Sequence, residues 1–379
     1  MNVNKEYSNL VRLGDCIEQT ENRNYDLFYG ANDVVGMTIT KQIIPTKADV
    51  ENTDLTKFLI VSPREFVYNP RTHGKKIGLG FNNTDKTLMI SWNNISFKVQ
   101  DSKLDVTVLP EYLYLLFSRD EWDREACYRS LGSSTEVFSW AEMCDMKIPL
   151  PSFDIQQELV DTYSGLKALA EQNEALIKPL TEACQAYIVD CKRKYPVVEL
   201  VEYIEEYIQQ NLQLEYSLED VRGVSIQKKF IDTKANMDDV PLDKYKIVKD
   251  GMFAFNVNTA RMGEKFAIAL CKDNTHLVSS IYGVFQVSDK SKLLPEYLYL
   301  IFNREDFDRY VRFNSWGSAR ETFTYYEMRD VSIPLPPIEV QQAIVDIYNC
   351  AVEAKHIALE AREKMKNLCP ALVQRAIHS

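Results

Sequence analysis

The sequence predicts an α+β protein built as an internal repeat. Two mixed α/β domains are joined by two long antiparallel coiled-coil helices and related by a pseudo-twofold axis. Three observations carry this expectation. LPEYLYL occurs at 109–115 and again at 294–300, 185 residues later. IPLP recurs in the same register at 148–151 and 333–336, and the pair Gln156-Gln157 returns as Gln341-Gln342. After each IPLP the pattern changes to a heptad seam. Residues 109–163 and 294–348 share 28 identical positions in 55, and a repeat on this scale constrains the fold before any local argument.

The expected boundaries are 1–152 for the first mixed domain, 153–195 for a long spacer helix, 196–337 for the second domain and 338–379 for a second long helix. Residues 58–61, 75–81, 88–92 and 95–99 are short runs rich in Ile, Val, Phe and Trp, punctuated by Asn and Gly, and they read as strands. Residues 245–248, 252–257, 266–271 and 281–287 read the same way. A helix is expected from Pro110 and from Pro295, each a favourable first helical residue, running through LPEYLYLLFSRDEWDRE and LPEYLYLIFNREDFDRY. Gly132-Ser133 and Gly317-Ser318 mark a turn after it. IPLP then closes each domain, because two prolines in four residues cannot continue a helix or a central strand.

The first seam runs through Ile155, Leu159, Thr162, Leu166, Leu169, Asn173, Leu176, Leu180, Ala183 and Tyr187, in steps of 4 and 3. The second runs through Val340, Ile344, Ile347, Ala351, Ala354, Ala358, Ala361, Met365, Leu368 and Leu372. Large residues facing alanines let two helices approach closely and fill the space, and each buried Leu contributes roughly 1.5–3 kcal/mol. Leu159, Leu166, Leu169, Leu176 and Leu180 are thus expected to pair with Ile344, Ala351, Ala354, Ala358 and Ala361. The other reading packs each helix on its own domain alone. Antiparallel pairing needs no long crossover, and helices of about 35 residues, roughly 50 Å long, would set the two domains at opposite ends of a rod. Pro179 is a candidate kink and Pro370 a candidate end or bend. Asn173 either sets register or is a partly exposed bystander.

Composition narrows the function. The chain has 379 residues, 45% hydrophobic, and no apolar run long enough to span a membrane. The start MNVNKEYSNL has no apolar signal region, so a cytoplasmic location is expected. The eight cysteines form no C-x-x-C pair and read as reduced, packed thiols. A net charge of −11 confines any DNA contact to local patches, with a partner neutralising much of the phosphate. No G-x-x-x-x-G-K-S/T loop appears, no Gly-rich cofactor loop is paired with an Asn/Asp-Pro-Pro-Tyr/Phe run, and the four histidines have no ligand spacing. No catalytic residue, metal ligand or cofactor is therefore assigned.

LPEYLYL, IPLP and a QQ-bearing long helix, present twice and in order, with Lys75–Gly78 as a GKIG-like string, resemble the specificity (S) subunit of type I restriction–modification systems over essentially the whole chain. The string stands here as KKIG and, in the second half, as Gly263-Glu264-Lys265-Phe266. The resemblance implies two target-recognition domains, each reading one half of a split site in double-stranded DNA. It implies helices that hold them apart, and no chemistry of the chain's own. It also implies that the same helices dock two adenine methyltransferase (M) subunits, a core which motor–nuclease (R) subunits join. A related system with a fused methyltransferase–nuclease partner, and a coiled-coil scaffold with protein-binding heads, are the alternatives.

Major-groove readout needs fork donors on exposed loops. In the first domain Arg64, Asn69, Arg71, His73, Lys75 and Lys76 form the best local cluster, and in the second Asn256, Asn258, Arg261 and Lys265 occupy the corresponding place. Lys41-Gln42 and Gln227-Lys228-Lys229 lie in a patch that aligns between the halves and are expected to hold phosphate. Solvated surface charge is the plain alternative for each. Arg119, Arg124, Arg304 and Arg309 are expected to pair with Asp120, Asp123, Asp306 and Asp308 instead.

Overall fold

The structure, a computed structural model, describes residues 10–378 except 73–75, 101–106, 133–135, 234–236, 238–239, 261–262, 273 and 318–319, and side chains only to 366. The chain divides into two compact units, residues 1–171 with 357–379, and residues 172–356.

Unit 1 contains β1 (Leu10–Arg12), β2 (Ile17–Thr20), β3 (Val35–Met37), β4 (Ile43–Pro45), β5 (Leu59–Val61), β6 (Phe66–Tyr68), β7 (Leu79–Phe81), β8 (Leu88–Ile90), β9 (Ile95–Val99) and β10 (Lys147–Pro149). Its helices are α1 (Pro110–Phe117), α2 (Asp120–Arg129) and α3 (Trp140–Asp145), followed by α4 (Phe153–Lys194). Unit 2 repeats the order with β11 (Val197–Glu199), β12 (Ile204–Glu206), β13 (Arg222–Val224), β14 (Phe230–Asp232), β15 (Lys246–Val248), β16 (Met252–Asn256), β17 (Ile268–Leu270), β18 (His276–Val278), β19 (Tyr282–Val287) and β20 (Ser332–Pro334). Its helices are α5 (Pro295–Phe302), α6 (Glu305–Phe313) and α7 (Tyr325–Arg329), followed by α8 (Ile338–His378).

The central sheets have matching orders, β2-β9-β6-β7 and β12-β19-β16-β17, with antiparallel pairs throughout. Each carries the same aromatic centre. Phe66 stacks on Phe97 at 5.0 Å and meets Phe117 edge-on at 5.6 Å. Phe253 stacks on Phe285 at 4.9 Å and meets Phe302 edge-on at 5.5 Å. Sheet residues of period two thus pack against the apolar face of the LPEYLYL helix.

IPLP contributes a short strand in each unit: β10 pairs with β1, and β20 with β11. Proline is tolerated there because these are isolated two-stranded edges. The tyrosine and glutamine of the repeated motifs then tie three segments together. Tyr112 donates to Pro149 O at 2.8 Å and Tyr297 to Pro334 O at 3.1 Å. Gln156, fully buried at the start of α4, donates to Thr107 O (3.0 Å) and Pro151 O (2.9 Å) and accepts from Leu109 N (2.9 Å). Gln341, equally buried at the start of α8, donates to Lys292 O (2.8 Å) and Pro336 O (2.9 Å) and accepts from Leu294 N (2.9 Å). The second glutamines only brace their own helices, Gln157 to Asp161 and Gln342 to Asp346, each at 2.8 Å.

Several expectations are corrected. The helix expected from Pro110 breaks at Ser118-Arg119 into α1 and α2, and its counterpart at Asn303-Arg304 into α5 and α6. The break turns the acidic second helix so that Asp123 and Asp308 point inward. The second long helix does not end at Pro370, since α8 reaches His378, and α4 continues through Pro179.

The seam is also displaced. In α8, Ile344, Ala351, Ala354, Ala358 and Ala361 are buried along the expected line. In α4, Leu169 and Leu176 are 42% and 50% exposed, while Ala170, Cys184 and Ile188 are buried. The inward face runs Leu159, Tyr163, Leu166, Ala170, Asn173, Ile177, Leu180, Cys184 and Ile188, one residue on from the expected line at Tyr163, Ala170, Ile177, Cys184 and Ile188. Ala170 and Cys184 place small side chains on that face, so the neighbouring Leu169 and the exposed Leu176 were mistaken for the seam. Unit 1 holds the N-terminal half of α4 with the C-terminal part of α8, and unit 2 the reverse halves, so the helices run antiparallel. In unit 2 Cys184 Sγ lies 3.5 Å from Ile344 O.

In unit 2 a charged clasp fixes α6 to α4. Arg304 donates to Gln185 Oε1 (2.8 Å), and Asp306 receives Arg304 (2.9 and 3.2 Å) and Lys192 (2.9 Å). Burial alone would raise the Asp306 carboxyl, but these bonds hold it down at about 2. A depressed carboxyl contributes stability above its unfolded value of 3.8 and loses it as pH falls through 2.

Asp306→Asn is expected to remove part of the acid-limb loss of stability between about pH 4 and pH 2, measured by urea unfolding against pH. Gln156→Ala is expected to cost about 2–4 kcal/mol by orphaning buried carbonyls and an N–H. Gln157→Ala should change stability by less than about 0.5 kcal/mol in the same assay.

Candidate nucleic-acid interface

The best candidate surface is formed in each unit by the loop after β6 or β16 and a second loop laid against it. In unit 1, Arg71 bridges Val137, Thr72 N donates to Glu136 O (3.1 Å), and Phe138 N donates to Pro70 O (2.7 Å). In unit 2, Asn258 bridges Thr322, Thr259 N donates to Glu321 O (3.0 Å), and Phe323 N donates to Val257 O (2.9 Å). Leu131 and Val137, and likewise Trp316 and Thr322, close the second loop as a narrow turn. Gly132 and Gly317 stand in it at φ +156° and +146°, values open to glycine.

Asn69 holds its loop by accepting Arg71 N (3.0 Å), while Asn256 accepts Asn258 N (3.0 Å) and Asn258 accepts Ala260 N (3.2 Å). These amide oxygens are spent on Asx turns. Arg71 and Lys265 are exposed on the two loops. Lys76 pairs with Asp120 at 2.9 Å on the surface. His73, Lys75 and Arg261 lie outside the described residues.

Arg64 is not brought to this surface. It precedes β6, at the opposite end of the strand from Asn69 and Arg71, with φ +66° and a bidentate pair to Glu111 (2.7 and 3.1 Å). Lys41 and Lys228 are corrected more sharply. Both were expected to hold phosphate, yet they are 3% and 5% exposed. Lys41 Nζ donates to Asp123 (2.5 Å) and Ile77 O (2.7 Å), and Asp123 also accepts Ile77 N (3.1 Å). Lys228 pairs with Asp308, which accepts Phe266 N (3.0 Å). Tyr114 and Tyr299 hydroxyls donate to Lys41 O and Lys228 O, each at 2.9 Å. Burial lowers both lysine ammonium groups, with the aspartate opposing the shift. The pairs anchor the end of each candidate loop to α2 or α6. Gln42, Gln227 and Lys229 remain exposed on the adjoining turns.

The expected arginine–aspartate pairing is partly replaced. Arg304 does reach Asp306, but Arg119 and Arg124 pair with Glu121, and Asp123 and Asp308 take the lysines.

Sequence reasoning missed the apolar residues bordering these loops. Tyr128 and Leu131 are 88% and 72% exposed, and Phe313 and Trp316 are 77% and 63% exposed at the aligned positions. Arg320 is exposed beside Trp316. The signal was an apolar residue standing at the same two places of an otherwise polar segment in both halves. Basic forks beside exposed rings suit a nucleic acid. Among the described residues no cluster of three or more His, Cys, Asp or Glu could hold a metal, and no helix is long and apolar enough to cross a membrane.

Residues 202–365 match the family model described as type I restriction modification DNA specificity domain. No curated protein matches. Among solved structures, the chain is similar to a type I restriction–modification S subunit from M. genitalium, with 10% identity, a TM-score of 0.56, and coverage of 99% of this chain and 98% of that one. It is also similar to an HsdS subunit from Thermoanaerobacter tengcongensis, with 16% identity, a TM-score of 0.42, and coverage of 97% and 96%.

Lys41→Met is expected to destabilise unit 1 by about 3–5 kcal/mol, because it strands a buried carboxylate. Arg71→Ala should leave unfolding within about 0.5 kcal/mol of the parent. Chemical denaturation of the two variants checks both.

Proposed function

We propose that this chain is a specificity subunit of a type I restriction–modification system and reads a DNA target in two parts, a reading supported by the family model matched by residues 202–365. Unit 1 reads one half-site through the loop carrying Arg71 and its neighbour carrying Leu131, with Tyr128 at the end of α2. Unit 2 reads the other through the loop carrying Asn258 and Lys265 and its neighbour carrying Trp316 and Arg320, with Phe313 at the end of α6. Arg71 supplies a fork for guanine or phosphate, and the exposed rings pack against sugar or base. Lys41 and Lys228 position the loops without touching DNA. The chain itself supplies recognition, while adenine methyltransferase subunits docked on it, with motor–nuclease subunits beyond, supply chemistry in the cytoplasm.

One observation carries this reading. The same buried framework is built twice, yet the loops that it presents differ in sequence. Arg71 stands where the second unit has Asn258, and both meet the partner loop through equivalent bridges. Two different surfaces on one scaffold suit an asymmetric, split target. The acidic total is consistent with a partner that neutralises most of the phosphate.

Methylation-sensitive long-read sequencing, with this gene intact and deleted in cells expressing the methyltransferase, is expected to lose one split adenine-methylated motif on deletion. An unchanged methylome with confirmed expression would sink the reading. Arg71→Ala should relax or abolish only one half-site, and loss of specificity in both would remove the division of labour between units.

A further inference from the structure

A buried hydroxyl sets the reading loop of unit 2 apart from its counterpart in unit 1. Thr72 and Thr259 hold the same place, each N–H donating to the carbonyl of the facing glutamate, Glu136 at 3.1 Å or Glu321 at 3.0 Å. In unit 1 the side chain is satisfied as well: Thr72 Oγ1 lies 3.3 Å from Glu136 O and 3.2 Å from Glu136 Oε2. In unit 2 the carboxylate is drawn away. Glu321 pairs with Arg312, which stands where unit 1 has Cys127. Thr259 is 5% exposed, and its Oγ1 has no hydrogen-bond partner among the described residues.

A buried polar group without a partner is costly, and valine would fill the same space at no such cost. The hydroxyl lies beside room for a partner from outside. Thr259 lines a cleft between the loop and α6, together with Gly263, Glu264, Lys265 and Arg312. The cleft measures about 200 Å³ including its open mouth, but only about 10 Å³ of it can hold the centre of a water. That is room for one oxygen atom and none for a base ring.

The groups around it select the chemistry of that oxygen. The inner carboxylates are already balanced, Asp308 by Lys228 and Glu321 by Arg312. Lys265 is exposed on the lip, with Glu264 beside it. Arg312 is held by Glu321, and a guanidinium so held has N–H groups left for a second acceptor. A hydroxyl in the floor with an ammonium and a guanidinium at the mouth is a set of donors. It suits an anionic oxygen, and in a nucleic acid that is the non-bridging oxygen of a phosphodiester.

We infer that this cleft seats one backbone phosphate of the half-site read by unit 2, with Thr259 donating from the floor and Lys265 closing over the oxygen. The inference rests on the DNA reading proposed above. It adds an asymmetry, because Thr72 is already bonded and unit 1 has no free hydroxyl to offer at that place.

The test uses the full chain assembled with its adenine methyltransferase on a duplex carrying the split motif. Thr259→Val removes the hydroxyl and keeps the shape. The free variant should melt at or above the parent, because an orphaned polar group is lost. Its complex should bind roughly tenfold more weakly, whatever the bases of the half-site. Lys265→Met should lower the slope of log affinity against log salt by about 1. A single methylphosphonate, walked along the half-site of unit 2, should weaken the parent at one position and leave Thr259→Val unaffected there, as expected of two sides of one contact. Thr72→Val should instead lower the melting temperature and show no such position. Parental affinity in Thr259→Val would mean that the cleft holds water only and would overturn the inference, as would a lower melting temperature in that variant. A loss tied to one base, with no sensitive phosphate, would make the contact a base contact and overturn it too. Each of these outcomes leaves the DNA reading standing, whereas a parent complex that binds no split duplex would overturn both.

Discussion

Each unit depends on one buried amide. Gln156 and Gln341 sit at the joints where a mixed domain becomes a long helix, and each holds two carbonyls and one N–H from segments far apart in sequence. A primary amide is the side-chain group that can donate twice and accept at once without carrying charge. Glutamate at that place would face two carbonyls with no proton to offer. The joint therefore fixes the exit direction of the helix, the seat of the proline strand and the start of the LPEYLYL helix together.

The buried lysine–aspartate pairs add a second level of constraint. They link the turn after β3 or β13, the edge of the candidate loop and the second short helix in both units. Their charges are hidden, so the pairs give position and no field at the surface. Recognition is left to exposed residues around them, which is where the two units diverge. A scaffold with its charges inside and its variation outside can carry two specificities on one architecture.

The repeat, the two long helices and strands β5, β7, β8 and β9 of one domain and β15, β16, β17 and β19 of the other were legible in the sequence because they rest on patterns: an identical register, short apolar runs and heptad steps. The central strands β2, β6 and β12, and β3 beside them, were not, since three or four residues in a mixed segment carry little period. The break at Ser118 was hidden because Arg119 and its neighbours continue a helical composition. The seam in α4 was misplaced because Leu169 and Leu176 outweigh Ala170 in hydrophobicity, while close helix packing prefers the alanine. Lys41 illustrates the limit for the site. A lysine in a polar turn looks like a phosphate ligand, and only the fold reveals Asp123, 82 residues away, waiting beneath it.

The glutamine joint has an evolutionary consequence. Its partners, Thr107 O, Pro151 O and Leu109 N on one side and Lys292 O, Pro336 O and Leu294 N on the other, are all main-chain groups. A joint that grips only backbone is blind to the side chains next to it. A domain from a distant relative would seat on such a helix as readily as the resident one, provided that its own proline strand arrives in place. Recombination between genes at these joints would then exchange whole reading heads without passing through an unfolded intermediate sequence.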